Sequence, residues 1–230
     1  MSATLNEFSR DLLGGILRNR HSTRAFLSTA LSRDQINRIL EASSLAPSWC
    51  NTQPWRVHVV SGQMLQRISK DLIIAARDRD DVPDIPFASE YPEPFGGRKQ
   101  NADADLQSAR GLTNSDYRGQ IEAVRSNWRF FNAPQVIFLT TPKSLGSYAL
   151  LDLGCFLQSF LLTCVAEGLA ACPQASLAQY PKVIRSHLSI DDDELLVCGV
   201  SFGWPDPTAG ANQCRTGRIG VLDFAKFYGE

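Results

Sequence analysis

Apolar residues recur at helical spacing through residues 5–18, where Leu5, Phe8, Leu12 and Ile16 share one face. A second helix is predicted after the capping box Ser32-x-x-Gln35, with Ile36, Ile39 and Leu40 as its buried stripe and an end near Ala46. Residues 55–60 read as a strand, with Ser61-Gly62 as its turn, and residues 64–79 return to helix. Residues 80–97 are rich in Pro, Asp and Gly and read as a surface excursion, either a lid or a tolerated insertion. Residues 98–109 are polar and helical. A longer amphipathic helix is predicted over residues 117–131, with Ile121, Val124, Trp128 and Phe131 on one face. Pro134 ends it, and residues 136–140 form a β-branched and aromatic strand. Residues 147–167 make a long helix, apolar on nearly every side and stopped by Gly168. A helix over residues 180–188 and a strand over residues 194–202 follow. The pattern is α+β in one domain over residues 1–230, since too little chain precedes the excursion to fold alone.

Composition narrows the class. At 43% hydrophobic and 20% charged residues, the chain can bury a full core as a soluble protein. The net charge of -1 and the absence of a Lys/Arg tract exclude general nucleic-acid binding. The N-terminus has no pattern of a signal peptide. Asp152, Gln158 and Glu167 mark the long apolar helix as a core element and not a membrane span. Six cysteines without a C-x-x-C pair indicate free thiols in a reducing, cytoplasmic setting. His21, His58 and His187 are too scattered for a metal site.

The chemistry-bearing residues gather in a few stretches. Pro47 and Pro54 stiffen the loop between the second helix and the first strand, biasing Ala46 and Gln53 toward extended backbone. Ser48, Asn51, Thr52 and Gln53 offer donors and acceptors there, bracketed by Trp49 and Trp55. Such a loop suits a flat heterocycle, although the same residues make an ordinary helix-to-strand connection. In Arg20-His-Ser-Thr-Arg24, alternation along an extended segment puts Arg20, Ser22 and Arg24 on one side. Guanidinium forks and a hydroxyl suit phosphate; a solvated basic turn is the alternative, here and at Arg215 and Arg218. Asp191-Asp-Asp-Glu194 reads as a solvated turn before a strand, and Gly14-Gly15 has no phosphate-loop context.

Taken in order, these blocks carry a resemblance. Arg20-His-Ser-Thr-Arg-Ala-Phe26 and Ala46-Pro-Ser-x-x-Asn-Thr-Gln-Pro-Trp55 resemble the N-terminal half of the FMN-dependent nitroreductase family. Asn127-Trp-Arg-Phe-Phe-Asn-Ala-Pro134, Ala171-Cys-Pro-Gln-Ala175, Leu195-Leu-Val-Cys-Gly199 and Arg215-Thr-Gly-Arg218 continue it, most like the nitrobenzoate-reductase branch. Only about residues 70–116 fall outside it.

The resemblance implies a central, mainly antiparallel sheet flanked by helices, and an intertwined homodimer with two flavin sites at its interface. It implies that Arg20, His21, Ser22, Arg24, Arg215 and Arg218 hold the FMN phosphate end. Pro47, Ser48, Trp49, Asn51 and Gln53 would reach the flavin from the other subunit. Pro173, Gln174, Ala175 and Ser176 would face the reactive edge, with the backbone of Ala175 and Ser176 near N5. FMN carries the chemistry, so no catalytic side chain is implied. NADH or NADPH is the transient hydride donor, and a small aromatic nitro compound or quinone takes its place in ping-pong order. Trp49 stands where the family usually has a small residue, and Cys50 is also unusual there, which bears on the substrate more than on the cofactor. Reductive dehalogenation, flavin fragmentation and non-catalytic flavin binding are the competing readings.

Overall fold

The computed structural model describes residues 3–78 and 82–229, with side chains described from Asn6 onward at the N-terminus. Leu5's side chain and residues 79–81 of the predicted helix end and excursion therefore lie outside the described residues. Among the described residues there are seven α-helices: α1 (Ala3–Asn19), α2 (Arg33–Ser43), α3 (Gly62–Asp78), α4 (Phe95–Ala109), α5 (Tyr117–Arg125), α6 (Gly146–Ala166) and α7 (Pro181–His187). Four strands, β1 (Arg56–Ser61), β2 (Gln135–Pro142), β3 (Ala170–Gln174) and β4 (Glu194–Gly203), form one antiparallel sheet in the order β1-β2-β4-β3.

The sheet is covered on both faces, so its central strands read as continuous apolar runs without alternation. On one face Ile137 and Leu139 of β2 meet Cys198, Val200 and Phe202 of β4, under α2 and α6. On the other, Val136 and Phe138 meet Leu65, Ile68 and Leu72 of α3 and Ile184 of α7. Register shifts between Leu139 and Thr140: Leu139 faces Cys198, and Thr140 faces Leu196. Val197 is the extra residue of this bulge. It reverses which face the strand's side chains take, placing Leu196 in the second cluster and Cys198 in the first.

The capping box of α2 forms as predicted: Ser32 Oγ accepts from the Gln35 N–H, and Gln35 Oε1 accepts from the Ser32 N–H. That helix ends at Ser43, three residues before Ala46. By length and composition alone Lys143–Ala166 would suffice to cross a membrane. Here it lies on the sheet, and buried Asp152 accepts the Trp49 N–H at 3.0 Å. Tyr148 and Leu151 on its outer side are about 60% exposed, as are Phe8 and Leu12 of α1. All six cysteines are free, and burial pushes the Cys172 thiol up to about 11.

Three readings need correction. The helix predicted over residues 117–131 stops at Arg125. Phe130, Phe131 and Asn132 all take positive φ, and this turn sends both phenyl rings inward while Ile121 and Val124 are left exposed. Gln53 is not extended either: its φ is 47°, with its N–H donated to Ser48 Oγ and its amide folded onto the Asn51 carbonyl. Glu194 is not part of a solvated turn. It is 2% exposed, paired with Arg56 Nη1 at 2.7 Å and bonded by the Thr140 hydroxyl, because as the first residue of β4 it pairs with Pro142 of β2 and is drawn into the sheet.

Candidate active site

The edge of β3 organises the site. Ser22 bridges Ala171 in parallel, and the Thr23 N–H donates to the Ala171 carbonyl at 3.2 Å. The stretch after α1 thus extends the sheet by a short segment, with Thr23 fully buried beneath it. Arg20, Ser22 and Arg24 project into a cleft of about 370 Å³ as alternation predicts, and His21 joins them. Arg215, Thr216 and Arg218 enter the same cleft from the other end of the chain. Asn212 ties the two ends together. Its side-chain oxygen accepts the Arg24 N–H at 2.7 Å, and its amide donates to Ala25 and Asp206 carbonyls at 2.9 and 2.8 Å.

Among the described residues none of these four guanidinium groups has a carboxylate partner; Arg24, Arg215 and Arg218 bond nearby backbone or Thr216 oxygens. Burial, and then the Arg218 charge, lower the Arg20 pKa. Burial likewise holds His21 below the ordinary imidazole value; its bond to the Asn19 carbonyl opposes this, and Arg215, Arg20 and Arg24 reinforce it. Four cations held together beside a hydroxyl, with no carboxylate partner among the described residues, have the chemistry that suits a phosphate dianion.

A larger cavity of about 870 Å³ lies under α5, lined by Tyr117, Ile121, Val124, Asn127, Trp128 and Ser176 among others. Its polar side rests on the turn after β3. Gln174, buried at 4%, donates to the Asn127 carbonyl at 3.0 Å and accepts from the Ser201 hydroxyl. The Ser176 hydroxyl donates to Asn127 Oδ1 at 3.2 Å, while Pro173 is half-buried and Ala175 exposed. The buried Trp128 Nε1–H has no hydrogen-bond partner among the described residues. Asn127 had drawn attention only as part of a motif; its bonds to Gln174 and Ser176 make it the hub of this wall. A third cavity, of about 420 Å³, shares Arg24 with the basic cleft and Gln120, Val124 and Asn127 with the large one.

Pro47, Ser48, Trp49, Asn51 and Gln53 line none of these three cavities. They sit on the opposite side of the sheet's cover, by α6. Trp49 is 61% exposed and rests on Tyr148 with ring centroids 5.1 Å apart. Cys50 and Asn51 take φ of 49° and 56°, so the loop is wound tightly and presents its polar groups outward.

Comparison with known proteins agrees with this architecture. The nitroreductase family profile matches residues 17–204. The chain is 33% identical to a 4-nitrobenzoate reductase of Pseudomonas putida, over 95% of this chain and 96% of that protein. It is 31% identical to a chloronitrobenzene nitroreductase of Comamonas testosteroni, over 94% and 96%. Among solved structures, the FMN-dependent nitroreductase NfnB of Mycobacterium smegmatis in complex with NADPH superposes with a TM-score of 0.90 at 28% identity, covering 95% of this chain and 99% of that one. With the sheet, the covering helices and the blocks of sequence all in agreement, this chain belongs to the nitroreductase family.

Proposed function

We propose that this protein is an FMN-dependent NAD(P)H oxidoreductase that reduces small nitroaromatic compounds. The observation that carries the reading is the cleft where Arg20, Ser22, Arg24, Arg215 and Arg218 meet from opposite ends of the chain without a counterion. Those residues, with His21, would hold the FMN phosphate. Asn127, Gln174 and Ser176, linked to one another, would supply amide and hydroxyl partners at the ring end, beside Pro173 and Ala175. When bound, FMN supplies the hydride relay between NAD(P)H and the nitro compound. The relatives named for 4-nitrobenzoate and chloronitrobenzene, and the neighbour solved with NADPH, support the same reading.

The chain's own part is binding and orientation. The guanidinium groups would fix the phosphate end by meeting its charge, and the amide and hydroxyl groups of Asn127, Gln174 and Ser176 would orient the ring. The apolar walls of Ile121, Val124 and Trp128 exclude water and accept a flat ring. NAD(P)H and the nitro compound use this one large cavity in turn, so double-reciprocal plots are expected to be parallel.

The active form is a homodimer in this reading. The exposed apolar side chains Phe8, Leu12, Tyr148, Leu151 and Phe224 would be covered by the second copy. The same pairing would bring Pro47, Ser48, Trp49, Asn51 and Gln53 to the partner's flavin. The six free thiols and the proposed use of NAD(P)H support a reducing, cytoplasmic setting. Two measurements test this. The purified protein should carry a flavin absorption that NADPH bleaches anaerobically and a nitroarene restores. Sedimentation should give twice the chain mass; a flavin-loaded monomer would refute the dimer, and a protein that takes up no FMN would refute the function.

A further inference from the structure

We infer that Asp152 is a positioning residue for the flavin ring: it holds the loop at residues 47–53 in the wound form in which that loop meets the cofactor of the second copy. The inference rests on the dimeric, flavin-dependent reading above. α6 is apolar along most of its length, yet it carries a carboxylate near its first third. Asp152 is 6% exposed, and among the described residues it has no cation beside it and one hydrogen bond, from the Trp49 N–H at 3.0 Å. A buried carboxylate compensated so little costs stability, and an apolar side chain of similar volume would serve the core better. Its place in the structure is explained by the loop it touches.

Tyr148, Asp152 and Phe156 stand at i, i+4 and i+8 and so share one stripe of α6. Each holds a part of the same connection between α2 and β1. Tyr148 lies against the Trp49 ring at 5.1 Å, Asp152 takes the Trp49 N–H, and Phe156 stacks on Trp55 at 5.2 Å.

The loop needs such a template. Cys50, Asn51 and Gln53 take φ of 49°, 56° and 47°. Left-handed backbone is unfavourable for residues other than glycine and persists only where the surroundings impose it. Inside the loop, Ser48 Oγ accepts the Gln53 N–H at 3.0 Å and Gln53 Nε2 donates to the Asn51 carbonyl at 3.2 Å. These bonds close the loop on itself and leave its orientation free. Among the described residues, the bond to Asp152 is the one hydrogen bond that ties residues 48–53 to another element. Ser48, Asn51 and Gln53 are therefore aimed together by a single contact. The basic cleft grips the phosphate, and this contact sets the groups that meet the ring.

The test compares Asp152→Leu, which removes the acceptor at similar volume, with Asp152→Asn, which keeps an oxygen in its place. Dissociation constants of FMN and riboflavin are read from the quenching of flavin fluorescence. Both should rise about ten-fold in Asp152→Leu, leaving their ratio at the wild-type value, and Asp152→Asn should recover most of the affinity. In Arg20→Ala the ratio should fall instead, since only FMN carries the phosphate. Without flavin, amide exchange over residues 49–53 should be faster in Asp152→Leu, with the dimer mass kept and the melting temperature equal or higher. Flavin affinity unchanged in Asp152→Leu, or lost equally in Asp152→Asn, overturns the role. A loss accompanied by a lower flavin-free melting temperature or by dissociation to monomers also overturns it, by making Asp152 a general structural support. A wild-type chain that takes up no FMN is a separate failure, of the flavin reading itself, and removes this inference with it.

Discussion

Arg20→Ala will weaken FMN binding at least ten-fold. In the free chain Arg20 faces Arg218 and has no carboxylate partner. Its charge is therefore a cost without ligand and a contact with it. One charge-assisted hydrogen bond contributes roughly 1.5–3 kcal/mol, which is ten-fold or more in affinity. The two effects have opposite signs, and this separates a binding role from a structural one. The variant's ligand-free melting temperature should hold or rise, while the extra stability conferred by added FMN should shrink. Arg38→Ala serves as the control, since Arg38 is exposed and pairs only with Glu167 at 3.5 Å. FMN affinity that is equal in Arg20→Ala and wild type would remove Arg20 from the phosphate site. A variant that simply unfolds would show the opposite sign in the ligand-free melt.

Asp84→Ala will destabilise the protein by about 3 kcal/mol, although Asp84 lies in the excursion between α3 and α4. Its carboxylate takes both Arg185 Nη1 and Nη2, at 3.3 and 2.8 Å, and also the Leu196 N–H at 2.7 Å. Arg185 in turn donates to the Glu194 carbonyl at 2.7 Å. Both side chains of the pair are only about 15% exposed. Removing Asp84 leaves a largely buried guanidinium whose remaining carboxylate, Asp192, is 4.0 Å away, and it strips the N–H of a core strand of its acceptor. Deleting one partner of such a pair is far costlier than replacing both. Urea denaturation should show a lower midpoint with an unchanged slope. Protease cleavage should become faster between α3 and α4, since Asp84 is the excursion's fixed point. A loss under 1 kcal/mol, typical of an exposed ion pair, would mean that this contact does not anchor the excursion.

Much of this architecture was legible in the chain, for identifiable reasons. Residues 136–140 and 194–202 are rich in β-branched and aromatic side chains, and β2 and β4 form there. The Ser32-x-x-Gln35 box marked its helix start to the residue. By contrast β3, with the sequence Ala-Ala-Cys-Pro-Gln, carries none of those residue types. It is a strand because β4 pairs with one side of it and residues 22–23 with the other, a tertiary cause with no local signal. The helix predicted to reach Phe131 failed because helical spacing at Trp128 and Phe131 reflects two inward turns, not one continuing face. Glu194 was hidden by the three exposed aspartates before it.

The candidate site divides along the same line. Arg20, His21, Ser22, Arg24, Arg215 and Arg218 were recognisable by residue type, and their meeting in one cleft is tertiary. Asn127 gains its place only from the packing of the residue-127 turn against β3. The Ala46-to-Arg56 loop was read as prolines bracketing polar groups, but its left-handed residues, set by tertiary packing, point those groups away from this chain's own cavities.

The basic cleft joins a segment that follows the first helix to one near the last residues, so its two walls are separated by almost the whole chain. A phosphate bridging Ser22 and Arg218 therefore closes a very long loop, as a covalent cross-link between the same points would. In the ligand-free chain those cations push the ends apart; with the anion in place the same groups draw them together. If FMN binds as proposed, its supply would set how firmly the tail from Arg215, held in the free chain by the Asn212 and Cys214 carbonyls, is fastened to the body of the protein. Limited proteolysis of the ligand-free protein is therefore expected to cut the tail from Arg215 sooner than it does in the FMN-loaded protein.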